Sequence, residues 1–341
     1  MSLRKRIIQA LKFIGFLAAG ILLLWLAFRN VNFRELSEKL AGANYGWLIL
    51  SIIFASLAYV SRARRWILLI NPLGYRPRLR NTFYALMTGY LANIALPRVG
   101  EITRCIALGR KENIPADQLI GTVVVERTID FISLLTITVI MLITEGSLLG
   151  PFLSENVYHP LKERVTAVFG FSRMLWVIVL ALLIVSFYLI YALRKSLRKI
   201  RFFAKLLDTA KGVITGLRTI TSVERKWEFV FHTVFIWINY MLMTWVVVFS
   251  LESTSHLGFA DGLFLLVIGG LAMSAPVQSG LGAFHFIISR GLNALYGISL
   301  EDGLVYALLA HESQLIYGAL IGFISLYALV RKDRIKVTWD G

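Results

Sequence analysis

The chain has 341 residues, of which 57% are apolar and 16% charged, and its net charge is +16. With a mean hydropathy of +0.70, this composition excludes an ordinary soluble domain and describes a chain whose main solvent is lipid. The single cysteine, Cys105, excludes an intrachain disulfide and a cysteine-based metal site, and the basic residues gather between apolar runs, a sign of membrane topology rather than of nucleic-acid binding.

In chain order, Arg4, Lys5, Arg6 and Lys12 precede or open an apolar run at 13–28. No small-residue cleavage site follows Phe28, so this run is expected to stay as a signal anchor. Further runs at 45–61, 118–144, 171–193, 231–251 and 303–330 complete six full spans of a core that needs roughly 20 helical residues. Two more apolar stretches are broken half-way. The first, 82–111, contains Gly89-Tyr-Leu-Ala-Asn93-Ile-Ala-Leu-Pro97-Arg98-Val-Gly100-Glu101; the second, 262–297, contains Gly270-Leu-Ala-Met-Ser274-Ala-Pro276-Val-Gln278-Ser-Gly280-Leu-Gly282. Interrupted segments at matching places in two halves are a pointer to a transporter's binding site.

Sidedness decides how the broken stretches run. If each were one full span, the 194–230 loop, with ten Lys or Arg against three acids, would face outward and break the positive-inside rule. If each returns to the side it entered, that loop, Arg76, Arg78, Arg80, Arg110, Lys111 and the basic C-terminus all become cytoplasmic. The expected fold is therefore an all-α integral membrane protein with six full transmembrane spans and two re-entrant helical hairpins in an inverted-topology repeat. Half one covers 13–144 with its hairpin at 82–111. An extracytoplasmic loop follows at 145–170. Half two covers 171–330, with an amphipathic cytoplasmic loop at 194–230 and a hairpin at 262–297.

Glu126-Arg127-x-x-Asp130 lies eight to twelve residues into its predicted span, ~12 to 18 Å deep and close to the midplane. Ionisable groups there cost about 2.5 to 3.5 kcal/mol each on insertion scales, so they must face protein or water and find partners. Arg127 can pair with Asp130 along one helical face, which leaves one negative charge over. Arg98, at the tip of the first hairpin, is the expected answer to it, either as part of a substrate site or as a buried ion-pair lock. His311 and Glu312 reach a similar depth from the opposite side, and Gln278, Ser279 and His285 surround the second tip. Arg62, Arg64, Arg65 and Trp66 follow the run 45–61, as a cytoplasmic anchor or as a clamp whose guanidinium forks match phosphate oxygens.

The signatures of soluble enzymes are missing: no phosphate-binding Gly-rich loop with its Lys, no His-Glu-x-x-His and no Gly-x-Ser-x-Gly. Arg64-Arg65-Trp66, Asn93, Leu96-Pro97-Arg98-Val-Gly100-Glu101-x-x-Arg104, Glu126-Arg127-x-x-Asp130 and the Pro276–Gly282 hairpin together resemble the flippase-like transmembrane region of lysylphosphatidylglycerol synthetases, the bacterial multiple peptide resistance factor family. The resemblance covers roughly 45–330. It implies movement of a lipid with an anionic or phosphate-bearing head group between leaflets of the bacterial inner membrane. It does not imply aminoacyl-lipid synthesis, which in that family belongs to a soluble C-terminal domain; a stand-alone form is expected here, with both termini cytoplasmic. His285 departs from the pattern, standing where an acidic residue is expected in relatives.

The resulting expectation is alternating access around a midplane cavity. Arg98 and Arg104, with Arg64 and Arg65, would contact the head group, alongside Asn93, Pro97, Glu101, Gln278, Ser279 and His285. Glu126, Arg127, Asp130, His311 and Glu312 would balance charge or carry protons, or a cation, as the coupling ion. No cofactor and no metal are assigned. An intramembrane enzyme using Glu126, Asp130 and Glu312 as bases, and a non-catalytic membrane subunit of a lipid or glycan pathway, remain the alternatives.

Overall fold

Long apolar runs with few breakers give helices, because in lipid the backbone must satisfy its own hydrogen bonds. The computed structural model describes residues 3–29, 31–96, 99–144, 146, 223–275 and 277–331. Among these residues it is all-helical, without strands. The helices are α1 (Leu3–Phe28), α2 (Phe33–Ala41), α3 (Gly46–Ile70), α4 (Leu79–Ala95), α5 (Gly100–Glu112), α6 (Ala116–Thr144), α7 (Lys226–Trp245), α8 (Phe259–Met273), α9 (Ala283–Tyr296) and α10 (Leu300–Arg331).

Among the described residues, four helical stretches are long and apolar enough to cross a membrane: Gly46–Leu73, Ala116–Thr144, Lys226–Ser250 and Leu300–Arg331. They coincide with four of the six expected spans. The run 13–28 lies within α1, and 171–193 lies outside the described residues, as do the 147–222 segment, Pro97, Arg98 and Pro276. One boundary needs correction. The span expected to end at 61 continues to Ile70, because Trp66 to Ile70 resume the apolar run, and all five are buried. Similarly, α7 starts at Lys226, inside the stretch expected to be a cytoplasmic loop.

The two broken stretches form two pairs of short helices. At 1.5 Å per residue, helices of 17, 13, 15 and 14 residues measure about 20 to 26 Å, less than a core of about 30 Å. Each pair is tied at its open end by a carboxylate. Glu112, ending α5, accepts from Asn81 Nδ2 at 2.6 Å and from the Arg78 backbone N–H at 3.2 Å at the start of α4. Asp261, in the first turn of α8, accepts from the Tyr296 hydroxyl at the end of α9 at 2.8 Å and from the Gly258 N–H at 2.7 Å.

The two tips meet in the interior: Ser279 Oγ donates to the Asn93 carbonyl at 3.4 Å. Around them, α10 packs on α4 and α9, α3 on α7, and α6 on α5 and α8. One apolar cluster fills the first pair's side, with Trp66, Ile70, Ala85, Cys105, Leu108 and Leu119. A larger one, including Val247, Leu265, Ile288, Leu304 and Tyr306, fills the second. Ile316, Leu320, Phe323 and Tyr327 on α10 are exposed at helical spacing, as a lipid-facing stripe would be.

Helices α4 and α5 approach closely because Gly89 faces Gly100. A Cβ on Gly100 would strike the Gly89 carbonyl and lie 2.6 Å from the Asn93 amide, neither of which is a flexible chain end. Gly100→Ala is therefore expected to lower stability by about 1 to 3 kcal/mol, read from thermal unfolding in detergent. An unchanged melting curve would mean the pair is looser than this.

Candidate functional site

Two polar centres lie in the interior, one on each side of the meeting tips. The first is built on α6. Glu126 and Asp130 are one helical turn apart and share a face, and three guanidinium groups converge on them. Arg62, on α3, donates from Nε to Glu126 Oε1 at 2.9 Å and from Nη2 to Asp130 Oδ2 at 2.6 Å. Arg65, also on α3, donates from Nη2 to Asp130 Oδ1 at 2.6 Å, with Glu126 Oε1 3.5 Å away. Arg104, on α5, donates from Nη2 to Glu126 Oε2 at 2.8 Å. Glu126 and Arg65 are fully buried, and Arg62 and Arg104 nearly so.

Further contacts surround this centre. Tyr240 on α7 accepts from Arg62 Nη1 at 2.9 Å. The Arg104 guanidinium lies 4.5 Å from the ring centroid of Trp66, a cation–π contact. Trp66 is itself fixed by Nε1 donating to Thr122 Oγ1 at 2.8 Å.

Three guanidinium groups, always charged, face two carboxylates. The centre therefore carries one excess positive charge, where the sequence suggested an excess negative one. Four of its donor atoms, Arg65 Nε and Nη1 and Arg104 Nε and Nη1, are buried without a hydrogen-bond partner. Buried cationic donors seek an acceptor. Arg127 does not pair with Asp130; it turns the other way and donates to Glu101 at 2.7 Å. Arg98, the partner the sequence suggested, lies outside the described residues, as does Pro97.

A separate polar set lies between α3 and the start of α7. Arg64, separated from the arginine cluster, donates to Glu228 at 2.6 Å. His232 lies 3.9 Å from Glu228 and is hydrogen-bonded to Ser61 Oγ at 2.7 Å. Beyond Arg64 opens a cavity of about 460 Å³ lined by Arg64, Ile67, Asn71, Arg76, Pro77, Glu224 and Arg225. Its lining includes three arginines against one acid.

The second centre lies at the second tip. His311 and Glu312 on α10 meet His285 in the first turn of α9, with His311 Nδ1 and His285 Nε2 at 3.0 and 3.3 Å from Glu312 Oε1. His311 Nε2 is 2.8 Å from the Ser279 carbonyl. Gln278 is buried beside it, and its Oε1 has no partner. Asn93, at the first tip, accepts the Gly100 N–H at 2.7 Å and so caps the start of α5. Among the described residues, no ion pair joins the two centres.

The model of the lysylphosphatidylglycerol synthase transmembrane region matches residues 12–322. The chain belongs to this family. A relative is the UPF0104 membrane protein MJ1595 of Methanocaldococcus jannaschii, 23% identical over 323 residues, which are 89% of this chain and 90% of the relative. Family and apolar helices together make this a multi-pass membrane protein with a lipid-related setting.

Sequence reasoning passed over Arg62 as a partner of Glu126 and had no reason to single out Tyr240 or Glu228. The signal for Arg62 was present: an apolar run that resumes at Trp66 puts the arginines inside a helix rather than at its end. Tyr240 and Glu228 carry no such signal, since only the packing of α7 on α3 brings them in.

Proposed function

We propose that this protein moves a lipid with an anionic or phosphate-bearing head group between the leaflets of the cytoplasmic membrane, by alternating access and without covalent change to the lipid. The observation that carries this reading is the buried cluster of Arg62, Arg65 and Arg104, one positive charge in excess and with guanidinium donors unfilled. A phosphate oxygen supplies both the missing charge and the missing acceptors. The cavity beside Arg64 supports a route for a head group from the cytoplasmic side, and the Arg64–Glu228 pair beside it adds hydrogen-bonding groups.

In this reading the short-helix pairs are re-entrant hairpins, one from each side. The six full spans and two hairpins form an inverted repeat, and both termini are cytoplasmic. The carboxylate ties at the open ends and the meeting of the tips support it, because broken helices that meet at the midplane are where such repeats place their substrate. Rocking one half against the other would open the arginine cluster to each leaflet in turn. Protons or a cation at the His311–Glu312 end would couple the movement to a gradient.

The test is transbilayer movement of fluorescent phosphatidylglycerol, with phosphatidylcholine as the neutral-headgroup comparison, in vesicles holding the purified protein. Arg104→Lys keeps the charge and removes the fork. It is expected to slow movement at least about tenfold, while the melting temperature stays within a few degrees of wild type. The reading fails if wild-type vesicles move no anionic lipid faster than protein-free ones, with or without a proton gradient.

A further inference from the structure

We propose that His285, His311 and Glu312 form a binding site for one first-row divalent transition metal ion, of the zinc class. Nothing in the sequence assigned a metal here, and the inference does not depend on lipid movement. It begins with the ring of His311. Its Nε2 lies 2.8 Å from the Ser279 carbonyl, which can only accept, so Nε2 carries the hydrogen. In a neutral imidazole, Nδ1 then presents a lone pair. That lone pair faces Glu312 Oε1 at 3.0 Å. Two acceptors at this distance repel each other unless something positive stands between them.

His285 identifies what that is. It is fully buried, and neither ring nitrogen has a hydrogen-bond partner. Its Nε2 nonetheless points at the same carboxylate oxygen, 3.3 Å away. A proton shared between His311 and Glu312 would leave His285 only that 3.3 Å approach to an oxygen already engaged. A metal ion uses all three groups.

The spacing fits that use. The three candidate ligand atoms lie within 4.8 Å of one another. A tetrahedral ion about 2.1 Å from each ligand sets neighbouring ligands about 3.4 Å apart, close to the 3.0 and 3.3 Å of the two edges that meet at Glu312 Oε1; the edge between the histidines would have to close to that value on binding.

The surroundings fit as well. The second nitrogen of a metal-bound histidine ordinarily donates to a carbonyl or carboxylate that fixes the ring, and His311 has that partner in Ser279. Two imidazoles and one carboxylate suit zinc, cobalt, nickel or iron, whereas calcium and magnesium want oxygen ligands throughout. The Phe284 and Phe28 rings lie 5.2 Å from His311 and 6.3 Å from His285. Glu312 is about one-third exposed, which leaves a way in for the ion and an open fourth position.

The experiment uses the full chain in detergent, its affinity tag removed, stripped with chelator and titrated with Co²⁺ while visible absorption is followed. Bound metal is counted by mass spectrometry after dialysis. One Co²⁺ per chain is expected, with the visible bands of low-coordinate nitrogen and oxygen ligation, and Zn²⁺ should displace it. Zn²⁺ should also raise the melting temperature of the unmodified protein, a readout that needs no variant. Glu312→Gln and His285→Asn are each expected to weaken binding at least about tenfold, whereas His256→Gln, at an exposed histidine, should bind as wild type does. Absence of saturable binding up to millimolar Co²⁺ would overturn the site. So would unchanged affinity in Glu312→Gln and His285→Asn proteins that keep the wild-type elution profile and melting curve.

Discussion

Glutamine in place of Glu126 is expected to lower the stability of the protein by roughly 3 to 5 kcal/mol, the usual loss when one member of a buried ion network is removed. Glu126 is fully buried and accepts from Arg62 and Arg104 on two different helices, with Arg65 3.5 Å away. An amide has nearly the same shape, but its nitrogen would present hydrogens to guanidinium hydrogens. The three arginines would be left with Asp130 as their only anion, and the buried excess would rise from one positive charge to two. Thermal unfolding in detergent, supported by a denaturant series, measures the loss. Glu38→Gln is the comparison, since Glu38 pairs with Arg34 on an exposed face, where such pairs contribute little. A Glu126→Gln protein no less stable than Glu38→Gln would mean that water reaches the cluster and that the burial argued here is wrong.

Much of this molecule could be read from its sequence, and what could not follows a physical pattern. Apolar length marks spans, so four of them were legible, and Pro and Gly inside apolar stretches marked the points where α4 gives way to α5 and α8 to α9. The end of α3 was misplaced because three arginines within four residues resemble an interfacial anchor. Only the partners of Arg62 and Arg65 on α6, some sixty residues on, make the burial of those two tolerable, and a local reading of charge does not see across that distance.

Burial was legible and direction was not. Counting residues at 1.5 Å each sets Glu126 and His311 well inside their helices, and both are buried. Arg127, however, could turn to Asp130 along its own helix or to Glu101 on α5, and packing chose the second. The meeting of His285 with Glu312 joins residues on different helices whose spacing carries no signal. It depends on a turn wound through Ser279, Gly280 and Gly282, all with positive φ. Gly282 also sits against the backbone of α1 at Gly20 and Leu24, where a Cβ would have no room, so the turn is held from both sides.

Replacing the whole cluster, Arg62→Met, Arg65→Leu, Arg104→Met, Glu126→Leu and Asp130→Leu together, is expected to leave a protein at least as stable as wild type and unable to move lipid. The two halves of this expectation have different causes. Desolvating five charged groups is expensive, and their mutual attraction offsets that cost only in part, so well-packed apolar residues of similar volume often do as well or better by about 1 to 4 kcal/mol. The excess charge and the unfilled donors at Arg65 and Arg104 add to the cost borne by the native cluster. Such a centre is costly for stability alone, and the proposed holding and release of an anionic head group would give it a use. Melting temperature and lipid movement, measured on the same preparation, separate the cases. Retained stability with movement at the level of protein-free vesicles assigns the arginines to the substrate. Retained stability with movement unchanged would make the cluster a structural lock and send the head group elsewhere. Collapse of the fold would show that apolar side chains cannot fill the space among α3, α5 and α6, and the single Arg104→Lys exchange, which keeps the charge in place, would then carry the comparison.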